Sequence, residues 1–329
     1  MRDPVFKSRL AGRLNDYIAA MRAAGHPFEH PHGLLRLDKL MADEFPMLEA
    51  VTREAADRWI EYCQEGVHIN TAIRLTTTVR GFISYLQARG IACAQIPSGS
   101  PGKHLRRQPH VISHEELHAF FKAADSMRPE ALAPYQHVTA PVLFRLMACT
   151  GMRSGEAKRL SVGDVDLGTG IIRILKSKAH AERIVIAAPD LLEELRAYDC
   201  LMRQAWPGRK SFLVDGQGNQ IPIGKISLWF HKIWDGLARP EAEGELRFST
   251  KSFRHFYATE RLAQWHREGR DLNAMRPYLM CWMGHTQADA TDYYIHLGSD
   301  FRSEIEKAME DSNAGVLPPP DDEDWEEMP

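Results

Sequence analysis

Apolar residues recur at helical intervals through the first third of the chain. Phe6, Leu10, Leu14, Tyr17, Ile18 and Met21 fall on one face of a predicted helix over residues 5–22. A second predicted helix covers residues 51–64, with Thr52 as its N-cap. The clearest periodicity lies in residues 70–89, where Leu75, Val79, Phe82, Ile83 and Leu86 form one stripe. Asn70 is the candidate N-cap of that helix and Gly90 its stop. Arg74, Arg80 and Arg89 punctuate the same segment.

The pattern then changes. Residues 97–110, PSGSPGKHLRRQPH, lack periodicity and are rich in Pro, Gly and basic side chains, as an exposed linker would be. Ser113 and Glu116 form an S-x-x-E capping box ahead of Leu117, Phe120 and Phe121. Helices are predicted near 138–149 and 154–161. Residues 170–187 switch to a strand pattern, with Ile171, Ile172 and Ile174, a charged turn, then Ile184, Val185 and Ile186. Helical spacing returns near 190–204, 224–237, 250–267 and 273–283. Trp229, Trp234, Trp265 and Trp282 fall within these stretches and read as core. The predicted fold class is mainly α with a small antiparallel β-sheet. A helical domain spans residues 1–97, a basic linker 98–110, a mixed α+β domain 111–309 and an acidic tail 310–329.

Composition narrows the class. A chain of 329 residues is long enough for two ordinary cores, and 44% hydrophobic with 26% charged residues is usual for a globular protein. No apolar run reaches the ~18 residues of a membrane helix. The opening residues, MRDPVFKSRLAGRLND, lack the apolar region of a secretory leader. Five scattered cysteines, odd in number and without a C-x-x-C pair, fit a reducing cytoplasm better than a disulfide framework. The net charge of -3 conceals an asymmetry, because residues 310–329 hold eight acids and no Lys or Arg. The remaining body is therefore basic, which is compatible with a nucleic-acid partner.

Four short segments carry candidate chemistry: Thr150-Gly151-Met152-Arg153, Lys176-Ser177-Lys178, Lys251-Ser252-Phe253-Arg254-His255, and Gly284-His285 with Tyr293-Tyr294-Ile295-His296. Taken singly, an Arg at a helix start, a Lys in a hairpin or a His after Gly is ordinarily a surface residue or a cap. Their order together resembles the tyrosine recombinase (phage integrase) family. Arg153 follows a T-G, Lys178 lies in the predicted hairpin, Lys251 and Arg254 form a K-x-x-R, and Tyr294 stands nine residues beyond His285. The resemblance covers essentially the whole chain. It implies a helical, SAM-like core-binding domain followed by a mixed catalytic domain.

That resemblance implies a site-specific DNA recombinase working through a 3′-phosphotyrosyl intermediate, without metal or nucleotide cofactor. Arg153 and Arg254 would hold the phosphate oxygens, Tyr294 would attack phosphorus, and Lys178 would protonate the leaving 5′-oxygen. His285 would donate to the phosphate or orient the nucleophile. Lys176 is the alternative acid and Tyr293 the alternative nucleophile. Lys251 stands where the family more often has His. Arg254 and His285 are 31 residues apart, a longer interval than the family's usual one, with His266, Arg267, Arg270 and Arg276 in the extra stretch. That stretch reads either as a DNA or partner contact or as a longer helix or loop.

Other residues take lesser parts in this reading. Glu156 and Asp164 would brace Arg153, and His296 would support the nucleophile. Cys281-x-x-x-His285 has zinc-like spacing but no second ligand pair. Lys103, Arg106, Arg107, Arg74 and Arg80 are the candidate DNA contacts. The implied partners are double-stranded DNA and further recombinase subunits, as a homotetramer or a mixed assembly, with no membrane; the implied location is the cytoplasm, at the nucleoid. A catalytically silent DNA-binding protein of the same fold is the alternative reading, and a helical protein–protein adaptor a more distant one.

Overall fold

A computed structural model describes residues 4–26, 31–103, 105, 112–131, 133–175, 182–237, 248–285 and 291. The chain forms two compact units, residues 1–107 and 108–329. No helix among the described residues is long and apolar enough to cross a membrane.

The first unit contains α1 (Ala11–Ala23), α2 (His32–Glu44), α3 (Arg53–Gln64) and α4 (Ile69–Gln87). Its core gathers Leu10, Leu14, Leu34, Trp59 and Phe82, all fully buried. The predicted first helix begins later than its apolar spacing suggests. Residues 7 and 8 are instead held in a turn, because the buried Asp38 carboxylate of α2 accepts from Lys7 N, Ser8 N and Ser8 Oγ. Helix α2 has no counterpart in the sequence reading; it starts after Pro31 with no side-chain cap to announce it. Thr52 caps α3 as expected, accepting from Ala55 N at 3.3 Å. At α4 the capping acceptor is His68 Nδ1, not Asn70. Asn70 exchanges two hydrogen bonds with the backbone of Leu105 instead.

Part of the segment read as a linker is fastened to the first unit. Gln64 Nε2 donates to Pro101 O at 2.7 Å, and the Arg80 guanidinium donates to the carbonyls of Ile96, Pro97 and Ser100.

The second unit is built around α6 (Gln136–Thr150), which packs against α5 (His114–Asp125), α8 (Pro189–Ala205) and α10 (Lys251–Arg267). The capping box of Ser113 and Glu116 forms as predicted. Phe120 lies at the centre of an aromatic cluster, with ring centroids 5.3 Å from Phe144, 5.4 Å from Phe230 and 5.2 Å from Phe253. Short α7 (Ser154–Ala157) leads to a two-stranded antiparallel sheet of β1 (Ile171–Ile174) and β2 (Arg183–Ile186), in which Ile172 faces Val185 and Ile174 faces Arg183. Ile172, Ile174, Val185 and Arg183 are buried, whereas Ile184 and Ile186 are exposed. Helices α9 (Ile223–Trp234) and α11 (Leu272–Met283) are the other α-helices among the described residues of this unit. Trp229 is buried, as a core residue should be.

Two glycines set the backbone around the site. Gly151 ends α6 at φ 67°, where a Cβ would fall 2.8 Å from a Tyr257 ring carbon. Gly284 ends α11 at φ 65°, and a Cβ there would meet Arg183 Nη1 at 2.9 Å. Only glycine meets both demands at each position.

Phe120→Ala should cost about 3–5 kcal/mol, because a buried ring at the centre of the cluster leaves a cavity. Urea unfolding checks this, and a loss below about 1 kcal/mol would show that the cluster can collapse onto the gap.

Candidate active site

Glu156 is the buried anchor of the candidate site. It lies on α7, three residues after Arg153, with its side chain 1% exposed. Its Oε2 accepts from Arg153 N at 3.0 Å and its Oε1 from Arg153 Nη1 at 2.8 Å. From the other side comes Arg183 of β2, with Nη1 at 3.2 Å from Oε1 and Nη2 at 2.7 Å from Oε2. Burial alone would raise the carboxyl's pKa. The hydrogen bonds from Arg183 and from the Arg153 backbone outweigh that and hold it at about 2. Glu156 thus braces Arg153 as the sequence suggested. Asp164 does not; it caps its own turn by accepting from Ser161 N and Oγ.

Arg254 occupies the first turn of α10 and is buried. Its Nη1 donates to Gly151 O at 2.7 Å, two residues before Arg153. Its Nη2 donates to Met283 O and lies 2.9 Å from His285 Nε2. A guanidinium can only donate, so Nε2 of His285 is the acceptor. The ring proton of a neutral His285 then sits on Nδ1 and donates to Thr291 Oγ1 at 2.8 Å. Burial, then the charges of Arg254, Arg153 and Arg183, push the His285 pKa down to about 4. His285 is therefore neutral at pH 7. Neighbouring His255 is also held at about 4, by burial first and then by Arg254 and Lys251.

Three sequence-predicted residues, Arg153, Arg254 and His285, are thus joined in one hydrogen-bonded cluster. Lys251 opens α10 one turn before Arg254, with an exposed side chain. Lys178 and Tyr294, their alternatives Lys176 and Tyr293, and Arg106, Arg107 and His296 lie outside the described residues. Arg74 on α4 and Lys103 are exposed. Arg80 has its guanidinium committed to three backbone carbonyls. Cys281 is exposed with a free thiol, and no group of three or more metal-ligating side chains occurs among the described residues.

The long interval between Arg254 and His285 is taken up by α10, a turn and α11. Within it Arg267 pairs with Glu260 and Arg270 with Glu268, each at 2.7 Å.

Arg183 and Thr291 take part without having been singled out in the sequence, and Trp282, read there as core, contributes polar contacts as well. Trp282 Nε1 donates to Thr150 O at 3.0 Å, and Trp282 O accepts from Arg183 Nε at 2.7 Å. The missed signal for Arg183 was strand alternation. It shares the inward face with Val185, and a charge on that face needs a buried partner.

A sequence profile of the Phage integrase family matches residues 110–300. A putative integrase/recombinase of Sinorhizobium fredii, y4rE, is 24% identical over 293 residues, covering 88% of this chain and 92% of that protein. Among solved structures, XerH recombinase bound to palindromic difH substrate in a post-cleavage complex has a TM-score of 0.61 at 18% identity, covering 94% of this chain and 92% of that one. A lambda integrase tetramer bound to a Holliday junction has a TM-score of 0.62 at 15% identity, covering 85% of this chain and 78% of that one.

The two depressed histidines make stability depend on pH. Their ordinary value is 6.5 and the folded value about 4, so the unfolded chain binds more protons between these limits. Their contribution is complete above pH 6.5 and falls as pH drops towards 4, whereas the Glu156 contribution is complete above its ordinary 4.5 and is lost between there and about 2. Urea midpoints measured from pH 7.5 downwards should decline across that window, and His255→Gln with His285→Gln should flatten the decline. An unaltered slope in the double variant would contradict the assignment.

Proposed function

Because the chain belongs to the phage integrase family, we propose that it is a site-specific DNA recombinase that breaks and rejoins duplex DNA through a 3′-phosphotyrosyl intermediate. The observation that carries the proposal is the convergence of Arg153, Arg254 and His285. These residues come from the start of α7, the start of α10 and the end of α11, and backbone carbonyls and one carboxylate hold them together.

A scissile phosphate gains negative charge on its nonbridging oxygens as a nucleophile attacks. Two permanently charged planar forks, Arg153 and Arg254, suit that charge. Arg153 is held by Glu156 and Arg254 by Gly151 O before DNA arrives, and only the contact of Arg254 with His285 is exchanged for the phosphate, so little reorganisation accompanies the reaction. Tyr294 Oη attacks phosphorus and the P–O5′ bond breaks. Lys178 supplies the proton for the 5′-oxygen. The phenolic proton of Tyr294 passes to Nε2 of His285, whose lone pair becomes available once Arg254 turns to the phosphate. The phosphotyrosyl ester conserves the energy of the broken bond, so attack by another 5′-hydroxyl rejoins DNA without metal or nucleotide. Lys251, one turn before Arg254, adds positive charge beside the phosphate.

Duplex DNA is the partner, with Arg74, Lys103, Arg106 and Arg107 as contacts to its backbone. Arg80 orders the chain that carries Lys103. Recombination pairs two DNA sites, which calls for an assembly of four active subunits on the DNA. The lambda integrase tetramer on a Holliday junction supports this assembly for the present chain. The protein works where its DNA lies, in the cytoplasm at the nucleoid.

Tyr294→Phe should abolish the covalent adduct on a nicked duplex while DNA affinity stays within about threefold, since only one hydroxyl is lost. Tyr293→Phe should still form it. The reverse pattern would move the nucleophile by one residue, and no adduct from the wild type would leave a DNA-binding protein that does not cut.

Arg153→Ala or Arg254→Ala should slow cleavage by about 100- to 1,000-fold. Lys178→Ala should be slow on a phosphodiester but recover on a 5′-phosphorothiolate, whose sulfur leaves without a proton. Arg153→Ala should not recover on that substrate. Recovery of Lys176→Ala instead would transfer the acid to Lys176.

A further inference from the structure

Arg183 belongs to none of the segments that define the catalytic set, yet each of its three side-chain nitrogens is engaged within it. Its side chain is 3% exposed. Two nitrogens grip both oxygens of Glu156, and Nε reaches the carbonyl of Trp282, three residues before His285. The guanidinium also lies against Gly284, leaving no room for a Cβ there. One side chain of the hairpin thus touches both the support of Arg153 and the turn that presents His285.

We propose that Arg183 is a positioning residue for the phosphate-binding groups, fixing Arg153 through Glu156 and His285 through the end of α11. The inference rests on reading the site as a phosphoryl-transfer centre. Arg153 is about one-third exposed, with a side-chain exposure of 32%. A carboxylate held by Arg153 alone could rotate about its own axis and carry Arg153 with it. The Arg183 fork removes that freedom, because a bidentate guanidinium–carboxylate pair is planar and fixed in direction. The remaining lone pairs of Glu156 then aim at Arg153 N and Nη1. Lysine offers a point charge and cannot span Glu156 and Trp282 O together. The charge of Arg183 also helps keep His285 unprotonated, so Nε2 retains its lone pair.

The test is single-turnover cleavage of nicked duplex by the full-length protein at saturating DNA, with three scissile linkages. These are a phosphodiester, a 5′-phosphorothiolate, and a methylphosphonate in which a methyl group replaces one charged nonbridging oxygen. Arg183→Lys should cleave the phosphodiester about 100-fold more slowly than wild type, with DNA affinity within about threefold. The defect should persist on the phosphorothiolate, because proton delivery to the leaving group is not what was lost. It should shrink below about tenfold on the methylphosphonate, which asks less of an arginine clamp. Glu156→Met combined with Arg183→Met removes the buried charge together with its partner, so it should melt above Arg183→Met alone, which strands the Glu156 carboxylate in the interior. Cleavage by that double variant should remain as slow as by Arg183→Lys, which a purely structural role would not produce.

Three results would overturn the inference: Arg183→Lys within about threefold of wild type, an equal defect on all three linkages, or recovery on the phosphorothiolate. A double variant that folds and cleaves normally would do the same. A wild-type protein that forms no adduct on any linkage would instead overturn the reading of the site, and this inference with it.

Discussion

Everything around the candidate site depends on one buried carboxylate. A site for a phosphodiester must gather positive charge, and Arg153, Arg183 and Arg254 repel one another when brought together. Glu156 offsets that repulsion from inside the protein, where the low dielectric makes its attraction strong. It accepts four hydrogen bonds, two from Arg153 and two from Arg183, which matches the capacity of a carboxylate. The cost of burying the charge is met by those bonds, and the carboxyl stays ionised with a pKa of about 2. The cluster remains net positive, as an anionic substrate requires.

Backbone carbonyls do the rest. The last turn of α6 and the last turn of α11 leave C=O groups without helical partners. Gly151 O and Met283 O accept from Arg254, and Trp282 O accepts from Arg183. Helix ends that would otherwise need water are satisfied by the same guanidiniums that the proposed chemistry uses. The positive φ of Gly151 and Gly284 turns the chain so that these carbonyls and the following side chains converge. Electrostatics also sets the state of His285. Burial and three nearby arginines keep it neutral, and the bond from Arg254, which can only donate, leaves Nε2 unprotonated and places the proton on Nδ1, facing Thr291.

Much of this was legible in the sequence because spacing carries it. Arg153, Arg254 and His285 follow the order of a known family, and the structure joins them. The capping box at Ser113 and the hairpin of Ile172 and Val185 were visible as local patterns. What escaped notice depends on tertiary partners. Helix α2 has no capping side chain, and Asp38 within it converts the apparent helical spacing of Phe6 and Leu10 into a capped turn. Asn70 resembled an N-cap, but its amide is used by Leu105. Arg80 was read as a DNA contact, and its Nε and Nη2 are used by carbonyls of the chain beside it. Arg183 gave a signal only in hindsight of its strand: it alternates with Val185, so it faces inward, and nothing nearby in sequence names Glu156 as its partner.

The most direct measurement of the central claim is a crystal structure of the protein on nicked duplex DNA with vanadate in place of the scissile phosphate. Vanadate adopts the five-coordinate geometry of phosphorus under attack. The account predicts vanadate oxygens within about 3 Å of the Arg153 and Arg254 guanidiniums. It also predicts the Tyr294 oxygen in an apical position, with Glu156 still gripped by Arg153 and Arg183. A vanadate held by neither arginine, or an Arg153 released from Glu156, would contradict it.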